Sequence, residues 1–556
     1  MVDSVAMRFV EGLVAQGVRH LFTIPGVDTL PIYAALREHP TLRCVFVQHE
    51  AAASFAADGY AKASGAMAAC FVVPGPGATN LLTGVASAHQ DGMPMLAITS
   101  QIARAKWGRQ SGHDCDLAGV YRPVVKEQFV LDDAATLLET LARAAQVARA
   151  HPPGPVHLIL QNEILAQGVP PRPPQLPVAP VPALPTPPAE ALDQAAAVLR
   201  AARNPIIFAG RGALDAAADV QRLAETLRVP ILTSPHGRGI VPEDDPLCFG
   251  HLHFVGAEDI LAQADACLAI GTRFGEYATL GWRRQPPQPL VQIDADPRAI
   301  GLNFPAAVAV VGDARPALRG LLERLDARDA DSGVLCLAQQ LRAQARAELA
   351  AFMAQRPTRP VHPLWLIRTL REATPRDAIF VSDGTAAQSW LMEQAFTIYE
   401  PRTHIFPEVS LTMGYALGAA LGVALAQPER PVVGVLGDGS LKMQLGELAT
   451  LSTLRRPLPL IVFNDGFYNA LRIRQEHQYG GRYFGVELPP ADFAAVARAL
   501  GLYGVAVKEP EAFGPALAEA LAADRPMLLD VATDHRPLSR YYVVSTGQAQ
   551  ARQVAA

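Results

Sequence analysis

The hydrophobic positions of the chain fall into short, nearly continuous apolar runs, separated by longer stretches with helical spacing. VRHLFTI, RCVFVQ, AACFVV and PMLAITS occupy the part before residue 165. NPIIFAG, VPILTS, ACLAIG and PLVQIDA occupy the middle, and AIFVSDG, PVVGVLGDG, PLPLIVFND and PMLLDVA the last third. Runs rich in β-branched residues without polar alternation predict strands buried on both faces, hence parallel sheets covered by helices. The pattern predicts an α/β chain of three doubly wound parallel-sheet domains.

Proline punctuates the pattern. VPPRPPQLPVAPVPALPTPPAE holds ten prolines between Pro170 and Pro188, a composition that packs no core and forms an extended strap. A charged helical stretch near 335–355 ends in the loop QRPTRPVHP and marks a softer break. The expected division is a first domain at 1–165, a Pro-rich linker at 166–189 and a Rossmann-like central domain at 190–340. A second linker at 341–360, a third domain at 361–540 and a tail at 541–556 complete it.

Composition narrows the function classes. Half of the 556 residues are hydrophobic and 18% are charged, the balance of a well-buried globular chain. A net charge of −5 argues against a general nucleic-acid binder. The six cysteines form no CxxC pair, and Cys44, Cys70 and Cys267 lie in apolar runs, as reduced core thiols do. MVDSVAMRFVEGLVAQGV is an amphipathic helix with acidic residues rather than a signal peptide, and the apolar stretch 416–426 is too short to span a bilayer. The expectation is a cytoplasmic protein with no membrane partner.

In open parallel sheets, ligands bind beyond the carboxyl ends of the strands. There stand Pro25-Gly26, Glu50, PGPGATN (74–80), Asp383-Gly384-Thr385, Gly437-Asp438-Gly439-Ser440 and Asn464-Asp465-Gly466-Phe467. In VVGVLGDGSLKMQLGELATL, the glycines let backbone approach phosphate oxygens, and the helix that follows offers free N–H groups. Asp438 supplies a hard oxygen, Asn464 on the next strand end a second, and the Gly466 carbonyl a third. Few protein oxygens, completed by phosphate and water, suit Mg²⁺. An isolated GDG is an ordinary turn, but here Asn464 follows Gly437 by 27 residues at the end of the next strand.

That spacing resembles the signature of the thiamine-diphosphate enzymes, and the resemblance runs from Val5 to about Asp534. It is closest to the acetolactate synthase large subunit and related 2-oxo acid decarboxylases, on GPGATNLLTG, YRPVVK (121–126), TMGYALGAALG and QIDADPRAIGLN (292–303). The resemblance implies a pyrimidine-binding first domain, a diphosphate- and Mg²⁺-binding third domain, and the cofactors thiamine diphosphate and Mg²⁺. It implies that Glu50, in HEAAASFAADGYAKASG, hydrogen-bonds the aminopyrimidine ring and promotes loss of the thiazolium proton. Met413 matches the apolar residue that bends the cofactor, and Pro25, Gly26, Asn80, Gly384, Thr385, Gly437, Gly439, Ser440 and Phe467 are carried as cofactor contacts. In this family the glutamate of one chain meets the diphosphate site of another, which implies a dimer at least.

Four stretches depart from the synthases. IPGVDTLPIY (24–33) lacks their double-glycine loop and looks more like decarboxylases of benzoylformate or guanidino-oxopentanoate. GRQSGHDCDL (108–117) puts His113 in place of a Phe-Gln-Glu region, so His113 joins Glu50 as a candidate catalytic group. Arg474 stands where the synthase has a tryptophan that helps select the second oxo acid. Arg472, two residues earlier, points to a different face, so one of the two at most faces the cleft. Arg474 reads either as a solvated residue among charged neighbours or as a fork for a carboxylate or phosphate at the far end of the substrate. AGRGA (209–213) and GTRFGEY (271–277) only partly echo flavin contacts, and the balance is against bound FAD. The resemblance implies decarboxylation of a small 2-oxo acid with carboligation to a second carbonyl. The alternative is a decarboxylase that releases an aldehyde. An inactive homologue is disfavoured, because Glu50, Asp438 and Asn464 are all present.

Overall fold

In the computed structural model, residues 4–546 are described except 170, 172 and 174, so the expected tail is seen only to residue 546. Three six-stranded sheets follow one another along the chain, and every pairing within them is parallel. The first contains β1 (His20–Thr23), β2 (Arg43–Phe46), β3 (Ala68–Val72), β4 (Met95–Gln101), β5 (Gln128–Leu131) and β6 (Pro155–Gln161). The second contains β7 (Pro205–Ala209), β8 (Ile231–Thr233), β9 (Cys248–His251), β10 (Ala266–Ile270), β11 (Leu290–Asp294) and β12 (Val308–Val311). The third contains β13 (Ile379–Ser382), β14 (His404–Ile405), β15 (Val432–Gly437), β16 (Pro459–Asn464), β17 (Tyr503–Val507) and β18 (Met527–Ala532).

The strand orders are β2-β1-β3-β4-β6-β5, β12-β11-β10-β7-β8-β9 and β14-β13-β15-β16-β18-β17. The first and third sheets thus share one topology. Each reverses direction between its first and third strands, the switch point where a crevice opens at the carboxyl edge. Central strands such as β3 and β10 are buried at every position, which accounts for their unbroken apolar runs.

Six helices matter for the site: α1 (Glu50–Ser64), α2 (Pro76–Gln90), α3 (Tyr415–Ala426), α4 (Asp438–Met443), α5 (Glu447–Leu451) and α6 (Asn469–Tyr479). Helix α1 of the first domain lies directly on α3 of the third. A Cβ on Gly422 would come within 1.9 Å of the Ala56 carbonyl oxygen, and one on Gly59 within 2.5 Å of that of Ala419. Only glycine permits so close an approach. At the far end of α1, buried Lys62 bonds Asp58 and Asp91, each at 2.7 Å, while the Tyr415 hydroxyl donates to Asp58 at 2.7 Å. The Pro-rich strap runs along the outside: Gln16 and Gln146 donate to the carbonyls of Pro177 and Pro180. A helix covers Gly333–Met353, the charged helical stretch expected near 335–355, and runs into the span expected as a linker at 341–360. Among the described residues no helix is long and apolar enough to cross a membrane.

Candidate cofactor site

The sequence candidates gather in two groups, one at the switch point of the first sheet and one at that of the third. In the first group, the loop after β1 touches the end of β3: a Cβ on Gly26 would lie 2.2 Å from Val73 Cγ1. Pro25 beside it is exposed. Glu50 opens α1 directly after β2, and its Oε2 accepts from Asn80 Nδ2 at 3.0 Å. A Cβ on Gly77 would lie 3.3 Å from Glu50 Oε1, so the first turn of α2 closes over the carboxylate. His113 belongs to the same group. Its backbone seats on Gly75, where a Cβ would meet the His113 Cα at 3.0 Å.

The second group surrounds Asp438. Its Oδ1 accepts from Gly439 N at 2.7 Å and its Oδ2 from Gly466 N at 2.8 Å, which ties the end of β15 to the turn after β16. Burial nevertheless pushes the Asp438 carboxyl up to about 6. Asn464 Nδ2 donates to Asp530 Oδ1 at 2.8 Å and more weakly to the Ala491 carbonyl, so the amide oxygen remains as its donor atom toward a cation. Gly466 has a φ of +77°, a conformation that favours glycine, and its carbonyl accepts from Leu488 N at 2.8 Å. One lone pair of that carbonyl remains. Phe467 follows, with its N–H on Asp465 Oδ1 and its ring 4.6 Å from that of His535. Burial, with the Asp438 charge beside it, raises Asp465 to about 7.

Across the switch point, the Gly384 N–H donates to the Thr412 carbonyl at 3.1 Å, and a Cβ on Gly384 would collide with the Leu411 backbone at 2.1 Å. This contact lays Met413 alongside the 383–385 turn. The Ser440 hydroxyl is taken up within the third domain, accepting from Gly414 N at 2.6 Å and bonding Asp383. Asp383 also accepts from Ala416 N at 2.7 Å, which caps α3 just after Met413.

The donor set fits the cofactor that the sequence implies. The Thr385 hydroxyl is buried without a hydrogen-bond partner and lies 3.5 Å from where a Cβ of Gly437 would stand. A buried orphan hydroxyl beside a glycine strand end is placed for a phosphate oxygen. Among the described residues no three His, Cys, Asp or Glu side chains form a metal cluster. One carboxylate, one amide oxygen and one backbone carbonyl are the hard, sparse set that Mg²⁺ takes alongside phosphate and water.

Sequence reasoning missed the supports. Asp530 orients Asn464, and its only signal was an acid inside the apolar run MLLDVA. Asp383 caps α3 and stood in plain view at a strand end. Glu447 was invisible, since its partners lie about four hundred residues upstream. Arg472 is buried, bonding Asn469 and the His535 carbonyl, whereas Arg474 is exposed beside Tyr541.

The thiamine pyrophosphate enzyme N-terminal TPP binding domain matches residues 3–120, the central domain 192–321 and the C-terminal TPP binding domain 383–531. The chain is 30% identical to a probable acetolactate synthase large subunit of Methanocaldococcus jannaschii, over 95% of this chain and 92% of that protein. It is 32% identical to the acetolactate synthase isozyme 3 large subunit of Escherichia coli, over 96% and 95%. It is 36% identical to the probable 2-ketoarginine decarboxylase AruI of Pseudomonas aeruginosa, over 89% and 87%.

Proposed function

Because the chain belongs to the thiamine pyrophosphate enzymes, we propose that it decarboxylates a small 2-oxo acid and joins the remaining acyl unit to a second carbonyl. The observation that carries the reading is the donor set of Asp438, Asn464 and Gly466 beside the orphan Thr385 hydroxyl. Bound thiamine diphosphate supplies a nucleophilic carbon and an acceptor for the electron pair left when carbon dioxide departs. Asp438, the Asn464 oxygen and the Gly466 carbonyl would hold Mg²⁺, which would supply positive charge beside the diphosphate. Thr385 and the Gly437–Gly439 backbone bind the diphosphate oxygens. Met413 would pack against the bound cofactor, and Glu50, steadied by Asn80, would hold or move a proton on the pyrimidine side.

The protein works as a dimer. Glu50 hydrogen-bonds Asn80 of its own domain, and in the family that the chain resembles the glutamate at this place meets the diphosphate site of another chain. Each carboxylate therefore serves the diphosphate site of the partner.

Whole-length similarity to acetolactate synthase large subunits favours ligation. A second reading, protonation of the acyl unit and release of an aldehyde, is favoured by His113, which sits on Gly75 in the Glu50 group. Products from pyruvate, benzoylformate, 2-ketoarginine and longer 2-oxo acids decide between them. A hydroxylated, carbon–carbon coupled product supports ligation. Stoichiometric aldehyde and carbon dioxide support release, and no product from any 2-oxo acid overturns both.

A further inference from the structure

The reading above gives Glu50 its role but leaves open what holds it in position. Glu50 is the first residue of α1, so its carboxylate moves with the amino-terminal end of that helix. Farther along, α1 is secured to the third domain by the glycine contacts, beginning where a Cβ on Gly418 would meet the Ala52 carbonyl at 2.8 Å, and by the Lys62 cluster. Upstream of Ala52 the packing is different. The backbone N–H groups of Gln48 and His49 both donate to one carboxylate oxygen, Glu447 Oε1, at 2.9 and 2.8 Å.

Glu447 opens α5 in the third domain and is 2% exposed. Its second oxygen accepts from the Thr450 hydroxyl at 2.9 Å, and the Gln48 side chain packs over Gly446. A buried carboxylate receiving two backbone donors and a hydroxyl is a stiff, charge-assisted arrangement. It also lies at the amino-terminal end of α1, where negative charge is favoured by the helix dipole. Both bonds fall on the two residues that immediately precede Glu50. Glu447 reaches across the domain boundary to the two residues just before α1, upstream of the glycine packing.

We propose that Glu447 is a positioning residue for Glu50: it clamps the backbone at Gln48 and His49 and so sets where the Glu50 carboxylate points. The proposal rests on the reading of Glu50 as the proton-moving group on the pyrimidine. Glu447 touches neither cofactor nor substrate in this scheme. Since α5 follows α4, which starts at Asp438, the same short segment serves one diphosphate site while steadying the glutamate destined for another.

The test compares Glu447→Ala, which removes both acceptors, with Glu447→Gln, whose amide oxygen still accepts both N–H groups. Glu447→Asp, a methylene short, replaces the alanine variant if that one fails to fold. On the protein without cofactor, amide hydrogen exchange by mass spectrometry reads the segment 46–52. Protection at residues 48 and 49 is expected in wild type and Glu447→Gln and lost in Glu447→Ala. With thiamine diphosphate and Mg²⁺ added, exchange of the thiazolium proton is expected to slow about ten-fold or more in Glu447→Ala, since small displacements of a catalytic group carry losses of that order. Cofactor affinity should change by less than about three-fold, because Glu447 lies outside the diphosphate donor set.

The decisive measurement is made in a Glu50→Gln background, where Glu447→Ala should slow thiazolium exchange no further, as two residues acting through one group are not additive. An additive loss there, unchanged exchange in Glu447→Ala, or unprotected amides at 48 and 49 in wild type would each overturn the proposal. If Glu50→Gln by itself leaves thiazolium exchange unchanged, the assignment of Glu50 fails instead, and the proposal goes with it.

Discussion

Asp438 shows how one residue is prepared for a cation. Two backbone N–H groups hold its oxygens, yet burial still raises the carboxyl to about 6, so the site lacks positive charge at its centre. On the proposed reading, a divalent ion supplies that charge. Asp438→Ala should therefore weaken binding of thiamine diphosphate with Mg²⁺ by at least the 10- to 100-fold or so seen when a ligand's outer support is lost. Titration calorimetry of chelator-treated protein measures it, and wild-type affinity in the variant would refute the metal assignment. Glu50→Gln makes the opposite separation. The amide keeps the Asn80 contact and the helix start but cannot share a proton, so cofactor affinity should persist while turnover falls by about 100-fold or more. Equal turnover in the two proteins would remove Glu50 from the chemistry.

At the scale of elements, the α1–α3 contact sets the strictest packing condition. Gly422→Ala would drive a methyl group into the Ala56 carbonyl, and backbone cannot yield as a side chain does. Overpacking of this kind costs about 1–3 kcal/mol, more than alanine's helix preference returns. The expected result is a lower thermal midpoint at fixed protein concentration; an unchanged midpoint would mean that the helices separate freely. Strand β6 carries a second liability in His157, buried between Thr99 and Gln128 and stacked on Tyr121. Burial lowers its pKa to about 3. The neutral ring is thus the folded form, and its stabilising contribution is complete above the unfolded value near 6.5. It is lost as pH falls from there toward 3, by up to about 1.4 kcal/mol per pH unit. Thermal midpoints of His157→Gln should fall less steeply than wild type between pH 6.5 and 4. Parallel curves would contradict the assignment.

The same elements show what could be read beforehand. Strands such as β10 and β15 announce themselves because burial on both faces leaves no polar position. Two-residue β14 has too little chain to show any pattern. Glu50 and Asp438 could be singled out because their neighbours resemble motifs of the family, HEAAASFAADGYAKASG around one and GDG with its distant Asn464 around the other. Asp530 and Glu447 were not, since a lone acid in an apolar stretch carries no sign of the distant amide it will hold.

At the scale of the whole molecule, the first and third sheets repeat one strand order and each offers its switch point as half of a site. Neither half is complete. Glu50, Asn80 and Gly77 belong to one, Asp438, Asn464 and Thr385 to the other, with α1 fastened rigidly to its own third domain. That fastening has a genetic consequence. On the proposed arrangement of shared sites, a chain carrying Glu50→Gln and a chain carrying Asp438→Ala should each be inert as homodimers, since each spoils both of its sites. After subunit exchange, a mixed dimer unites the intact Glu50 of one chain with the intact Asp438 of the other. Random reassortment yields about one working site in four, so two dead alleles should recover about a quarter of wild-type activity. Silence in the mixture, with exchange verified by mass, would mean that each chain keeps its glutamate for itself.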